Sequence, residues 1–239
     1  MEIEKHLTVP LNEDTIYSAS EKIMKKLLLV LLIILLPQTA LSQEIIWGSD
    51  NYKNLGIECS KPLPRLKEET NNEINIFLSR YRRNYIKTNL KKIVVCKELT
   101  RYGHDFYRGT YDQDTKTLFV ETGDGKLNDT EYVLHHEFSS LIWLNKMDEK
   151  MISKWKSFSN FEYKIEGNIV SDWSINTLDQ ENGALYRYCK TTPENDFNVV
   201  AAFYISDYLR PLVLQAQRKH MRIRGKVLII KEVYRGILK

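Results

Sequence analysis

The sequence predicts an α+β fold: a small sheet packed on a central helix, followed by a mostly helical C-terminal lobe. Three observations predict it. Two short apolar runs in the middle of the chain, over 93–96 and 118–120, have the length and composition of buried strands. A longer segment over 132–143 is rich in apolar residues without strand alternation and reads as a helix. The last third places its apolar residues at helical spacing.

The N-terminus comes first. Lys25 and Lys26 precede an apolar run over 27–36, Pro37 breaks it, and the small residues Ala40 and Ser42 follow. This charged, apolar, small-residue order is that of a secretory signal peptide over 24–42, with cleavage expected after Ser42. The run is shorter than the roughly 20 residues of a membrane span, so no integral span is expected after cleavage. Residues 1–23 read as an upstream extension before Met24; the alternative is a cytoplasmic tail before a signal anchor. The expected location is periplasmic or extracellular, and one domain is expected over 43–239.

Composition narrows the class. The chain has 239 residues, with 35 Lys+Arg against 31 Asp+Glu, a net charge of +4. That excess is too small to point to nucleic acid, which calls for a dense basic stripe. Three cysteines, Cys59, Cys96 and Cys189, form no CxxC pair. One bridge is possible without an assignable pairing; three small buried residues are the plainer expectation.

The elements follow in order. Pro62 and Pro64 introduce a helix expected over 66–85, with Ile74, Phe77, Leu78 and Tyr81 at helical spacing. A strand is expected over 91–97, then a turn-rich stretch with Gly103, His104, Asp105 and Gly109. A second strand over 117–121 ends at Gly123 and Gly125. Asp129 or Thr130 is placed to cap the central helix, and a further helix is expected over 148–158. An irregular stretch runs through Gly167 and Trp173. Pro193 suits the first position of a helix containing Phe197, Val200, Ala201 and Tyr204. Pro211 interrupts that pattern before a helix over 212–220. The segment over 226–238 could be helix or strand.

The chemistry concentrates on the central helix. In a His-Glu-x-x-His helix, two histidines four apart hold one metal ion on one face, and the glutamate serves a metal-bound water as general base. Here the register reads His136, Glu137, Phe138, Ser139, Ser140. The first histidine and the glutamate are present, and Ser140 stands where the second histidine would be.

Downstream, the stretch GALYRYCKTTPENDF over 183–197 enters another helix. The strand, the Gly-containing turn, the HHEFSSLIW helix and this second motif together resemble a group of exported bacterial zinc-binding metallopeptidases of the gluzincin type. The resemblance runs from about Leu90 to the C-terminus and implies a zincin-like fold. The family's second motif resembles a Tyr-Ala pair followed by Pro-Glu-Glu-Asp-Phe-Ala-Glu, whose last glutamate is the third zinc ligand. Tyr188-Cys189 stands at the Tyr-Ala pair, and Pro193, Glu194, Asp196 and Phe197 match. Asn195 replaces a Glu, Asn198 replaces the Ala, and Val199 stands where the ligand Glu would be.

The resemblance thus implies His136 as a metal ligand, with Glu137 and Tyr188 catalytic if the protein is active. It also implies that the standard zinc site has lost two ligands, at Ser140 and Val199. No cofactor is then expected, and zinc only if a rearranged site exists. Candidates for such a site are Glu131 and His135, which share a face about 100° from that of His136, with His104 and a carboxylate from Glu194 or Asp196. The structural alternative is a hydrogen-bonded His135 or His136 and a carboxylate at Glu137 in a polar cleft.

Two other features are weighed. Trp47, Tyr52, Trp143, Trp155 and Trp173 could line a peptide or sugar groove, or serve as core. Arg218, Lys219, His220, Arg222, Arg224 and Lys226 could meet an acidic surface, or form a solvated helix face. Three functions remain open. The first is a secreted, catalytically degenerate metallopeptidase-like protein, a pseudoenzyme that binds peptide or protein. The second is an active zinc-dependent peptidase with a rearranged site and Glu137 as general base. The third is a structural or interaction module of the cell envelope.

Overall fold

The computed structural model describes residues 43–48, 52–102, 108–122, 129–165 and 177–239. The expected signal peptide, the extension before it, His104, the glycines at 123 and 125, and Trp173 lie outside the described residues. Residues 43–239 form one compact unit.

The sheet is built on the two runs that the sequence marked. Strand β1 is Glu44–Trp47, β3 is Lys92–Cys96, β5 is Gly109–Asp112 and β6 is Thr117–Glu121. They form a four-stranded sheet in the order β1, β3, β6, β5. β1 and β6 flank β3 in parallel, and β5 runs antiparallel to β6 at the edge. A separate two-stranded ribbon pairs β2 (Ile57–Cys59) with β4 (Leu99–Arg101).

The central strands are apolar throughout because both faces are covered. Side chains alternate across a strand. Ile93, Val95, Leu118 and Val120 therefore face the helices and join the main core. Val94, Cys96 and Phe119 face the other way, onto Ile57, Cys59 and Leu99 of the ribbon. A disulfide between Cys59 and Cys96 fastens the ribbon to the sheet. The expectation of three unbridged cysteines is thereby corrected; only Cys189 is free, and it is buried.

The helix expected over 66–85 is two helices, α1 (Lys67–Arg80) and α2 (Arg83–Asn89). The break has a cause far away in sequence. Tyr81 is extended and bridges Leu238, and the Arg82 amide donates to the Ile237 carbonyl. The returning C-terminus takes up backbone groups that a continuous helix would have used.

Helix α3 (Asp129–Lys146) is the central helix and packs beneath β5 and β6. Tyr132, Leu134, Phe138, Leu141, Ile142 and Trp143 are all buried, so apolar residues surround it. Asp129 and Thr130 lie inside the helix rather than before it. The Glu73 carboxylate of α1 instead accepts from the Glu131 amide at 3.2 Å, satisfying an N-terminal donor.

Helix α4 (Glu149–Ser157) is capped by Asp148, which accepts from the Met151 amide. After a short helix α5 (Thr177–Glu181) and a 3-10 turn over Arg187–Lys190 comes α6 (Pro193–Ile205). Thr192 caps α6 by accepting from the Asn195 amide, and Pro193 takes its first position. Helices α7 (Arg210–Lys219) and α8 (Met221–Val233) complete the lobe, so the ambiguous segment after Lys226 begins as helix. Gly225 within α8 lies against Phe158, where an added Cβ would meet the ring at 2.3 Å.

Candidate functional site

Helices α3 and α6 pack face to face and bring the two motifs together. From α3 come His136, Glu137 and Ser140; from α6 come Glu194, Asn198 and Val199. Tyr188 arrives on the 3-10 turn, its ring centroid 5.8 Å from that of His136.

His136 is buried, with 7% of its surface exposed. Its Nδ1 lies 3.1 Å from Glu137 Oε1. A carboxylate only accepts, so Nδ1 carries a proton and donates to it. The His136 Nε2 is buried and has no hydrogen-bond partner.

Ser140 is bound into the helix pairing. Its Oγ accepts from Asn198 Nδ2 at 2.8 Å. The Ser140 side chain also holds down the Glu194 carboxyl, which burial otherwise pushes above the usual range. Glu137 raises Glu194 further and His136 lowers it, which places all three in one electrostatic neighbourhood. Asn198 Oδ1 is buried without a partner. Val199 is fully buried in the core.

The positions that the resemblance implies as zinc ligands can be compared with this geometry. One is Ser140, whose hydroxyl oxygen accepts from Asn198, and another is Val199, an apolar core residue. Among the described residues, no three His, Cys, Asp or Glu groups converge as a metal site would require.

The other candidate ligands are placed elsewhere. His135 is fully buried between Tyr81, 2.8 Å from Nδ1, and Glu131, 3.3 Å from Nε2. Burial holds the Tyr81 hydroxyl well above its ordinary range. It therefore stays protonated and donates to Nδ1, leaving Nε2–H to donate to Glu131. Both ring nitrogens are occupied, and the pair serves the junction with α1. Asp196 is also withdrawn. Its Oδ2 accepts from Lys226 Nζ at 2.5 Å, Tyr163 at 2.8 Å and Trp155 Nε1 at 2.9 Å.

That contact corrects the basic cluster as well: Lys226 is fully buried, while Arg218, Lys219 and Arg224 are exposed. Among the described residues, the aromatic side chains considered for a groove are dispersed. Trp143 and Trp155 pack on Phe197 in the core, Tyr52 packs on Phe119, and Trp47 lies under Lys67. Burial pushes the Cys189 thiol far up, which removes it as a nucleophile.

One site residue was not read from the sequence. Gly109 on edge strand β5 lies against α3: an added Cβ would meet Val133 Cγ1 at 2.5 Å and Glu137 Cγ at 2.6 Å. Its glycine in a turn-rich stretch was visible, but not the helix beneath it. The Ser140–Asn198 bond had a signal: both positions depart from the resembled motifs, and each departure is polar.

The Glu121 amide donates to the Arg108 carbonyl at 2.8 Å. Antiparallel alternation then turns the backbone groups of Gly109 and Tyr111 away from β6, to the outer side of the sheet.

No family model and no curated relative matches the chain. Among solved structures it is similar to a Bacteroides caccae protein described as a candidate zinc-binding metallo-peptidase. The identity is 15%, the TM-score is 0.45, and the match covers 70% of this chain and 67% of that one. A likeness at that level does not establish a common fold.

Proposed function

We propose that the protein is an exported metallopeptidase-like protein of gluzincin type. Its metal centre is dismantled, and it holds an extended peptide or protein segment without cutting it. The observation that carries this reading is the Ser140 junction. Where a second histidine would complete the centre, Ser140 is bonded to Asn198, beside a fully buried Val199.

The edge strand supports binding. β5 runs beside Glu137 with outward backbone groups at Gly109 and Tyr111, and an extended peptide can add to such an edge. The Cys59–Cys96 disulfide supports export, because such bonds persist in oxidising compartments. Among the described residues no helix is long and apolar enough to cross a membrane.

The active alternative has one observation in its favour, the unpartnered His136 Nε2 near Glu194 and Glu137. A broad peptide-cleavage assay with added zinc separates the two readings, using the native protein and Glu137→Gln. No cleavage above background by either is expected. Cleavage by the native protein that disappears in Glu137→Gln would overturn the non-catalytic reading.

A further inference from the structure

Cleavage after Ser42 would expose Gln43, and the fold begins at that same residue. The compact unit runs from Gln43 to Lys239. Strand β1 opens one residue later, at Glu44. The Glu44 amide donates to the Lys91 carbonyl at 3.2 Å, and the register pairs Glu44 with Lys92. The Lys92 ammonium lies 3.3 Å from the Glu44 carboxylate. The sheet therefore holds the chain from Glu44 onward and stops short of Gln43. Gln43 is half-buried, and among the described residues neither its backbone nitrogen nor its carboxamide makes a hydrogen bond.

A terminus at Gln43 carries its own electrophile. The α-amino nitrogen and the side-chain carboxamide carbon belong to one residue, so no packing has to bring them together. Their closure forms a five-membered ring, and such an intramolecular attack avoids the entropy of joining two molecules. An α-amino group titrates at about 7.7–8.0, so part of it is neutral and nucleophilic at neutral pH. The sheet competes for neither reacting group. A retained α-ammonium would add a positive charge at the end of the sheet that already carries Lys91 and Lys92; a lactam removes it.

We infer, on the export reading proposed above, that Gln43 becomes the N-terminus of the mature chain and closes to a pyroglutamyl residue. The α-amino nitrogen attacks the side-chain carboxamide carbon. A bond from that carbon to the α-nitrogen forms, and its bond to the side-chain nitrogen breaks. The side-chain nitrogen leaves as ammonia, taking the proton that the amine gives up. Nothing is oxidised or reduced. The terminus loses its charge and the free amine that an aminopeptidase grips, while Glu44 onward keeps its pairing with β3.

The full chain, expressed with its own leader in a secreting bacterial host and purified from the exported fraction, tests this by mass spectrometry of its N-terminal tryptic peptide. A peptide over residues 43–53, lighter by one ammonia than the open glutamine form, is expected as the main species in freshly purified protein. Edman degradation should be blocked, and after treatment with pyroglutamyl aminopeptidase it should read Glu44 first. Gln43→Ala removes the carboxamide and should leave the same start with an open, readable amine.

Open Gln43 in the fresh protein, including a form that closes only on storage, would overturn the inference and leave export intact. A mature chain that begins at any other residue would overturn it together with cleavage after Ser42. A cell-bound chain that retains residues 24–42 would sink the export reading as well.

Discussion

Replacing Lys226 with Met removes a buried cation and little volume. The side chain is fully buried, and Nζ donates to Asp196 Oδ2 at 2.5 Å and to the Gly183 carbonyl at 2.6 Å. It also lies 5.3 Å from the ring centroids of Trp155 and Phe161. Burial pushes the Asp196 carboxyl up; the Lys226 charge pulls it back, followed by hydrogen bonds from Lys226, Tyr163 and Trp155. Without Nζ, a fully buried carboxylate keeps only two neutral donors, and its Oδ1 is already unpartnered. Breaking one side of a buried pair costs about 3–5 kcal/mol. At about 2–4 °C per kcal/mol for a domain of this size, the midpoint of thermal unfolding should fall by roughly 6–20 °C. Circular dichroism melts of the native protein, Lys226→Met and the double variant Lys226→Met/Asp196→Asn measure this. The double variant removes the stranded charge but keeps an acceptor for Trp155 and Tyr163, so it should recover more than half of the loss. A single variant that melts within about 2 °C of native, or a double variant no better than the single, would refute the reasoning.

Three further outcomes are expected. Cys59→Ala/Cys96→Ala should lose roughly 4 kcal/mol in urea unfolding, because the bridge closes a loop with a sequence separation of 37; an unchanged midpoint would contradict this. Burial lowers the His135 pKa, so the unfolded chain binds the proton more strongly than the folded one. That stability is present above the unfolded value of about 6.5 and is lost as pH falls below it; His135→Phe should flatten the acid limb of stability against pH. Gly109→Ala should cost about 1–3 kcal/mol by overpacking, since its Cβ would overlap Val133 and Glu137; a native-like melting midpoint would show that β5 can lift away from α3.

The parts of the fold legible in the sequence are those whose signals are local. The runs at 93–96 and 118–120 are continuous apolar strands because two layers cover them. Pro193 marked a helix start because its fixed backbone angle suits the first helical position. What stayed hidden depends on distant partners. The break at Tyr81 follows from the returning C-terminus. Strands β1, β2, β4 and β5 span only 3 to 4 residues each, too short to show a period. The Cys59–Cys96 pairing depends on how the ribbon lies on the sheet. Lys226 looked like one charge in a basic run because nothing near it in sequence announces Asp196, 30 residues away. At the site, His136, Glu137 and Ser140 were legible from helical spacing. The bond from Asn198 to Ser140 and the approach of Gly109 needed the packing of α3 on α6 and β5.

Native mass spectrometry of the protein after equilibration with equimolar zinc and desalting tests the dismantled centre most directly, with His136→Ala as the control for zinc held elsewhere. Well under one zinc per chain is predicted, with no difference between the native protein and the control. One zinc per native chain, lost in His136→Ala, would contradict it.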